Sequence, residues 1–228
     1  MTEPELGVAV DPTPRPFPQK LVHLGGSVTL EPLSEGHVRE LWQAAEHAEH
    51  SWTYLRYGPF QTRDDMSRHV QDLAERADQP FWAVRPKSSG CAEGWLSLCD
   101  VYPADSAIEI GSVWLSPSLQ RTRAATEAVF LLISHALDDL GYKRMVWRCQ
   151  ALNARSRRAA ERYGFKPEGI WRAAAIVKGW QRDVAWYSML SDEWPPHRSA
   201  ISAWLDDSNF RPDGSAIATM AEMRCLRG

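Results

Sequence analysis

The chain has 228 residues, of which 44% are hydrophobic and 24% charged, and its formal net charge is −3. A chain of this size and composition buries enough surface for a stable core, so its folding requires neither disulfides nor a structural metal. The small negative charge gives no overall basic field, so binding to nucleic acid would need a local basic patch.

Neither the cysteines nor the apolar runs indicate a special class of protein. The four cysteines have no paired spacing, so they predict neither a zinc site nor a disulfide framework. They are Cys91, Cys99, Cys149 and Cys225. No apolar run reaches the length of a secretory signal or a membrane span, so we expect a cytoplasmic protein without a membrane partner.

The first third of the chain predicts an arm, a strand and two helices. Prolines at 12, 14, 16 and 18 make residues 1–20 an extended arm. Val28 to Leu33 reads as a strand, and Ser34 begins a capped helix that reaches Glu49. An aromatic loop over 51–60 leads to a second helix, which is capped by Thr62 and runs to about residue 77. His47 and His50 lack a third ligand, so we expect a polar helix face and no metal.

The middle of the chain predicts a meander followed by a helix. Short turns separate strand patterns at 81–85, 94–101 and 107–115, as expected for antiparallel neighbours. From Ala124 to Leu140 the apolar residues follow helical spacing, and Gly141 ends the pattern.

The last third continues as strand, helix and two strands. These are predicted at 144–150, 153–163, 165–171 and 183–190, and together with the meander they describe a mixed sheet with helices packed on it. We expect residues 21–196 to form the folded domain, ending where Glu193-Trp-Pro-Pro196 breaks the pattern. Residues 197–228 read as a C-terminal appendage.

The segment from Val113 to Glu127 combines a strand, a polar loop and a helix N-terminus. Unpaired N–H groups and the helix dipole at such a start suit a phosphate group, and Arg121 and Arg123 add positive charge. A solvated loop with two exposed arginines explains the same spacing equally well.

This segment resembles the acetyl-CoA signature of the GNAT superfamily of N-acetyltransferases, Gln/Arg-x-x-Gly-x-Gly/Ala. Gln120, Arg123 and Ala125 stand at its defined positions, and residues 124–128 resemble the helix start of the ribosomal-protein acetyltransferase branch. Arg123 occupies a position where the superfamily usually has glycine. The loop is therefore expected either to keep its backbone farther from the pyrophosphate or to use the guanidinium instead.

Two later segments extend the resemblance to residues 21–196. Asn153-Ala-Arg-Ser156 with the segment 160–165 is similar to the family's Asn-x-x-Ser…Tyr/Leu-Gly-Phe pattern, and 178–188 resembles its final hairpin. The implied structure is the α/β GNAT fold, whose twisted, mostly antiparallel sheet is splayed at the acetyl-CoA site and carries helices on both faces. The implied activity is transfer of an acetyl group from acetyl-CoA to a primary amine, either a protein N-terminus or a small amine or amino acid.

The resemblance also implies where acetyl-CoA binds. It would lie between the diverging strands Ile110–Leu115 and Val146–Gln150 and meet the backbone of Val113, Trp114 and Leu115. The remaining cofactor-binding candidates are Gln120, Arg121, Thr122, Arg123, Ala124, Ala125, Thr126, Asn153 and Ser156. A simple capping role for Asn153 and a packing role for the nearby Tyr163 remain open alternatives.

Three residues are candidates for proton transfer. Glu109 is the candidate base, because burial in the apolar stretch 107–110 would raise its pKa; an outward-facing strand residue is the alternative. Tyr163 is the candidate acid for the departing thiolate, with Ser156 as the second choice.

The aromatic loop offers candidates for the acceptor side. Trp52, Tyr54 and Tyr57 either line the amine pocket or belong to the core.

Two other functions and one assembly fit the same residues. Arg123 suggests a non-catalytic CoA-binding module. Arginines at 155, 157, 158 and 162 suggest a ribosome-associated or RNA-associated module, although a solvated helix face is the default, so no direct nucleic-acid contact is expected. In the tail, Trp204, Leu205 and Phe210 suggest the interface of a homodimer.

Overall fold

The computed structural model describes residues 7–225, so the first six residues of the predicted arm and the last three of the predicted appendage lie outside it. The described residues form one sheet of eight strands in the order β1-β2-β3-β4-β5-β6-β8-β7. The strands are β1 His23–Leu24, β2 Val28–Pro32, β3 Phe81–Pro86, β4 Gly94–Tyr102, β5 Ala107–Leu115, β6 Arg144–Gln150, β7 Lys166–Val177 and β8 Trp180–Leu190.

One pair of strands in this sheet is parallel. All other neighbours run antiparallel, whereas β5 and β6 run side by side in the same direction. They are paired only from Ala107 opposite Arg144 to Glu109 opposite Val146. Beyond Glu109 the two strands diverge, and this confirms the mixed, splayed sheet.

Helices cover both faces of the sheet. The six α-helices in the described part of the chain are α1 Val38–Ala44, α2 Arg63–Glu75, α3 Arg123–Ser134, α4 Ala154–Tyr163, α5 Trp194–Leu205 and α6 Met220–Cys225. Along β3, Trp82 and Val84 join the core beneath α3, α4 and α5, while Phe81 and Ala83 join the core beneath α1 and α2. Because side chains alternate along a strand, these two cores lie on opposite faces.

Several predicted caps and boundaries are confirmed. Thr62 caps α2 by accepting a hydrogen bond from the Asp65 amide, and Asn153 caps α4 by accepting one from Ser156. Gly164 ends α4 with φ of 102°, which glycine adopts without steric cost.

Three predicted boundaries are wrong. The helix after Ser34 ends at Ala44, because His47 adopts a left-handed backbone with φ of 59°. β7 and β8 extend to a tight turn at Lys178 and Gly179 and are longer than predicted. The prolines after Trp194 begin α5 rather than break the chain, since the first helical turn needs no N–H donor.

Both ends of the described chain pack on the domain. The backbone N–H of Arg15 donates to the Pro103 carbonyl, and the Tyr142 hydroxyl donates to the Pro16 carbonyl, so the arm lies along the turn between β4 and β5. Trp194 and Ile201 of α5 are buried in the same core as α3. The described part of the tail is therefore built into the domain core.

Within residues 7–225, no helix combines the length and apolar character needed to cross a bilayer.

Candidate active site

A β-bulge distorts β5 just beyond the point where it leaves β6. Trp95 pairs with Trp114 and Ser97 with Gly111, so the single residue between them on β4 faces two residues, Ser112 and Val113. Ser112 has φ of 50°, a left-handed conformation that is unfavourable for a residue with a Cβ. Bulges reorient backbone groups next to active sites, and this one borders the gap between β5 and β6.

The N-terminus of α3 follows β5 through a short, tightly held loop. Gln120 Nε2 donates to the Leu115 carbonyl at 3.0 Å, and Arg121 turns the chain with φ of 66°. Thr122 caps the helix by accepting a hydrogen bond from the Ala125 amide at 3.1 Å. Helix geometry leaves the amides of the first turn without intrahelical partners, so the N–H groups of residues 123 and 124 suit an anion.

The Arg123 side chain is directed toward the C-terminal segment. Its guanidinium lies 2.6 Å from the Asp207 carboxylate and 4.4 Å from the centroid of the Phe210 ring, and it also contacts the Leu205 carbonyl. The guanidinium expected to add charge at the anion site is therefore engaged by the tail, whereas Arg121 is exposed.

Phe210 and Trp204, suggested as part of a homodimer interface, instead pack against each other at 5.1 Å between ring centroids. Trp204 and Leu205 are buried within the core of this chain. These side chains therefore pack within this chain, and the homodimer stays a prediction.

The α4 residues lie between β6 and α3. Ser156 Oγ accepts a hydrogen bond from Trp147 Nε1 at 3.0 Å. Tyr163 is 2% exposed, and its hydroxyl lies 3.5 Å from the Thr126 carbonyl in α3 and 3.2 Å from an Arg162 nitrogen. Burial raises the pKa of Tyr163, so its hydroxyl stays protonated at neutral pH.

Two of the four arginines in α4 donate hydrogen bonds to side chains of other elements. Arg157 donates to the Tyr187 hydroxyl, and Arg162 donates to Thr126 Oγ1. Arg155 and Arg158 are exposed. Half of the basic helix face predicted from the sequence is thus used in packing.

Glu109 is buried at the last position where β5 pairs with β6. It is 5% exposed, and burial raises its pKa to about 7. The guanidinium of Arg148 contacts its carboxylate and opposes that rise, while Asp100 contributes to it. The predicted burial of Glu109 is confirmed, and the direction of its pKa shift follows from that burial.

The aromatic loop covers the gap and is largely core. Trp52 is 1% exposed and stacks on Trp114 with ring centroids 4.3 Å apart, so it packs in the core, which is one of its two predicted roles. Tyr57 is turned inward, and its hydroxyl donates to the Ser112 carbonyl at 3.2 Å. Tyr54 remains 40% exposed and donates to the Leu152 carbonyl across the gap at 3.2 Å.

Two cations of the β7–β8 hairpin hold this loop in place. Lys178 donates to the Trp52 carbonyl at 2.9 Å. Arg182 donates to the carbonyls of Thr53 and Tyr54, each at 3.0 Å.

Sequence reasoning missed a stack that leads outward from Glu109. Arg148 lies over the Trp186 ring at 4.8 Å, and Trp186 lies 4.2 Å from Trp171 between ring centroids. Trp171 is 60% exposed, so the stack reaches solvent. Arg144, Arg148 and Gln150 among the apolar residues of β6 were the available signal. Their partners depend on the registers of β6 with both β5 and β8.

Among residues 7–225, no cluster of three or more histidine, cysteine, aspartate or glutamate side chains is arranged to hold a metal ion. His47 and His50 are both exposed.

Comparisons with known proteins agree with this geometry. The acetyltransferase (GNAT) domain family matches residues 27–166. The crystal structure of a GCN5-related N-acetyltransferase from Brucella melitensis superposes with a TM-score of 0.91 and 42% identity, covering 94% of this chain and 98% of that one. A probable acetyltransferase of the GNAT family from Chromobacterium violaceum gives a TM-score of 0.78 and 37% identity, covering 85% and 98%.

A curated relative points in the same direction. YdaF of Bacillus subtilis, whose name describes a ribosomal N-acetyltransferase, is 32% identical over 101 residues. The match covers 44% of this chain and 55% of that relative. The chain therefore spans about half the length of this relative.

Proposed function

The chain belongs to the acetyltransferase (GNAT) family, and from this we propose that it transfers an acetyl group from acetyl-CoA to a primary amine by direct attack in a ternary complex. The observation that carries the proposal is the gap between β5 and β6. It opens beside Glu109, is bordered by the bulge at Ser112 and Val113, and leads to the N-terminus of α3.

The residues around the gap fit acetyl-CoA. The first-turn amides of α3 and the exposed Arg121 suit its pyrophosphate. Ala124 and Ala125 add little bulk at that turn, and Arg123 is held away from it. The backbone from Val113 to Leu115 would run beside the pantetheine arm, with Asn153 and Ser156 at the start of α4 opposite. Bound there, acetyl-CoA supplies an activated thioester.

Glu109 is the proposed base. Amide formation requires a neutral amine, and a carboxylate with a pKa of about 7 accepts the amine proton at physiological pH. A carbon–nitrogen bond forms as the carbon–sulfur bond breaks, and the thiolate that leaves needs a proton. Ser156 is one proposed acid; its Oγ accepts a hydrogen bond from Trp147, and its hydroxyl also has a hydrogen bond with the Cys149 thiol.

Tyr163 is the other proposed acid. Its hydroxyl contacts the Thr126 carbonyl and would have to leave that contact in order to donate elsewhere. Both hydroxyls therefore have partners within the protein, and we keep the order expected from the sequence, with Tyr163 first and Ser156 second.

For the acceptor we infer a protein N-terminus. The name of the Bacillus subtilis relative describes a ribosomal N-acetyltransferase, which favours a protein amine. Among the described residues, the core beneath α1 and α2 contains none from β6, β7 or β8, so Trp186 and Trp171 line a sheet face that those helices do not cover. Such a face can receive an extended peptide next to Glu109.

The test has two steps. Calorimetry measures acetyl-CoA binding, and mass spectrometry then identifies products from a panel of peptides with free N-termini, free amino acids and polyamines. Binding together with acetylated peptides supports the proposal. Binding without any product would favour a non-catalytic CoA-binding module, and acetylation of small amines alone would overturn the assignment of a protein acceptor.

A further inference from the structure

A buried network of side chains surrounds the bulge in β5. Gln79 Nε2 donates to Ser97 Oγ at 2.8 Å and to Ser112 Oγ at 2.9 Å. Ser97 Oγ in turn donates to the Gly111 carbonyl at 2.8 Å. Gln79 and Ser97 are both buried. Because buried polar groups are costly unless paired, a network of this kind holds one arrangement of the backbone.

A second contact reaches the same bulge from the aromatic loop. The Tyr57 hydroxyl donates to the Ser112 carbonyl at 3.2 Å and accepts a hydrogen bond from Trp95 Nε1 at 3.1 Å. Both hydrogen-bonding functions of this hydroxyl are thus satisfied, and its ring packs 4.2 Å from the His69 ring. Tyr57 is therefore held by its ring and its hydroxyl together.

These contacts fix the direction of two backbone donors. A trans peptide unit is planar, with its carbonyl and its N–H pointing in opposite directions. Holding the Gly111 carbonyl therefore orients the Ser112 N–H, and holding the Ser112 carbonyl orients the Val113 N–H. The positive φ of Ser112 is unfavourable for a residue with a Cβ, and it persists only when its surroundings enforce it.

We propose that Tyr57, Gln79 and Ser97 are positioning residues that hold the bulge so that the N–H groups of Ser112 and Val113 polarise the thioester carbonyl. This proposal rests on the proposed function. Donors fixed in advance stabilise the charge that develops on a reacting oxygen without reorganising during the reaction.

The test compares three variants of the full chain with the wild type. Tyr57→Phe removes the hydroxyl and keeps the ring, and Gln79→Met removes the amide donors at similar volume. Tyr142→Phe is the matched control, because its hydroxyl donates to the Pro16 carbonyl of the N-terminal arm and not to the bulge. The readouts are the infrared stretch of the carbonyl in bound acetyl-CoA labelled with carbon-13, the acetyl-CoA Kd from calorimetry, and kcat and KM.

In the wild type and in Tyr142→Phe, the carbonyl stretch is expected to lie below its value in water. In Tyr57→Phe and Gln79→Met it moves back toward the value in water, and kcat falls about 10-fold or more while Kd changes less than about 3-fold. For comparison, removing a hydrogen-bond donor that contacts the reacting oxygen directly lowers kcat by roughly 100-fold to 1,000-fold. A role in packing alone would not shift the carbonyl stretch.

An unchanged stretch and an unchanged kcat in folded Tyr57→Phe and Gln79→Met would overturn the proposal. If either variant fails to fold, Ser97→Ala removes the donor to Gly111 and is measured in its place. A wild type that neither binds nor uses acetyl-CoA would instead refute the proposed function, so the two failures are distinguishable.

Discussion

The guanidinium of Arg123, in the first turn of α3, lies 4.4 Å from the centroid of the Phe210 ring near the C-terminus. The contact joins the turn that we propose to bind the pyrophosphate to a segment nearly ninety residues later in the chain. Arg123 stands where the family signature usually has glycine. Its side chain contacts the C-terminal segment instead.

Replacing Arg123 should therefore affect stability more than cofactor binding. We expect Arg123→Ala to lower the free energy of unfolding by about 1–2 kcal/mol through lost contacts with Phe210 and the Leu205 carbonyl. Acetyl-CoA affinity should fall less than about 3-fold. Denaturant unfolding and calorimetry measure the two effects.

Arg121→Asn is the matched comparison for that experiment. Asn tolerates the left-handed backbone at this position, and the substitution removes an exposed cation beside the same turn. Arg121→Asn is expected to lower the affinity for acetyl-CoA by about 5-fold to 10-fold, which is more than the fall expected for Arg123→Ala. A greater loss of affinity in Arg123→Ala than in Arg121→Asn would contradict the placement of these two side chains.

The pH profile of turnover should report on Glu109. Because its pKa lies near 7, kcat/KM is expected to rise as the carboxylate ionises and to level off at higher pH. Glu109→Gln should lower kcat/KM by about 100-fold and abolish that limb of the profile. Full activity with an unchanged profile would remove Glu109 from the mechanism.

The same carboxyl group should make stability depend on pH. Its pKa is raised from 4.5 to about 7 on folding, so between these values the folded chain binds a proton that the unfolded chain has released. Stability conferred by the protonated group is therefore lost as pH rises through this window.

Glu109→Gln has no carboxyl group at this position, so it serves as the reference for the pH dependence of stability that Glu109 causes. Relative to the variant, the wild type is expected to lose on the order of 3 kcal/mol between pH 4.5 and 7. Unfolding curves at several pH values test the difference. Parallel pH dependence in the two proteins would show that the carboxyl group titrates normally.

Arg148 should set where Glu109 titrates. The guanidinium favours the ionised carboxylate, so Arg148→Met is expected to raise the pKa of Glu109 and move the ascending limb of kcat/KM to higher pH. Arg144→Met is the control, because that arginine lies on the same strand but pairs with Glu168. If the ascending limb of kcat/KM lies at the same pH in Arg148→Met as in the wild type, Arg148 does not set the pKa of Glu109.

Elements specified by local sequence could be predicted, and contacts between distant segments could not. The caps at Thr62 and Asn153 depend on residues three positions away. The pair Glu109 and Arg148 depends on the parallel register of β5 and β6. No local pattern marks the bulge at Ser112, because Gln79 and Tyr57 reach it from separate loops.

The most direct test of the central claim is a steady-state assay of thiol release from acetyl-CoA with a peptide that has a free N-terminus. The assay is run together with mass spectrometry of the peptide, on the wild type and on Glu109→Gln. The account predicts one free thiol for each peptide acetylated at its α-amine, with turnover strongly reduced in the variant. Tight binding of acetyl-CoA with no peptide acetylated under any condition, or thiol release without an acetylated product, would contradict it.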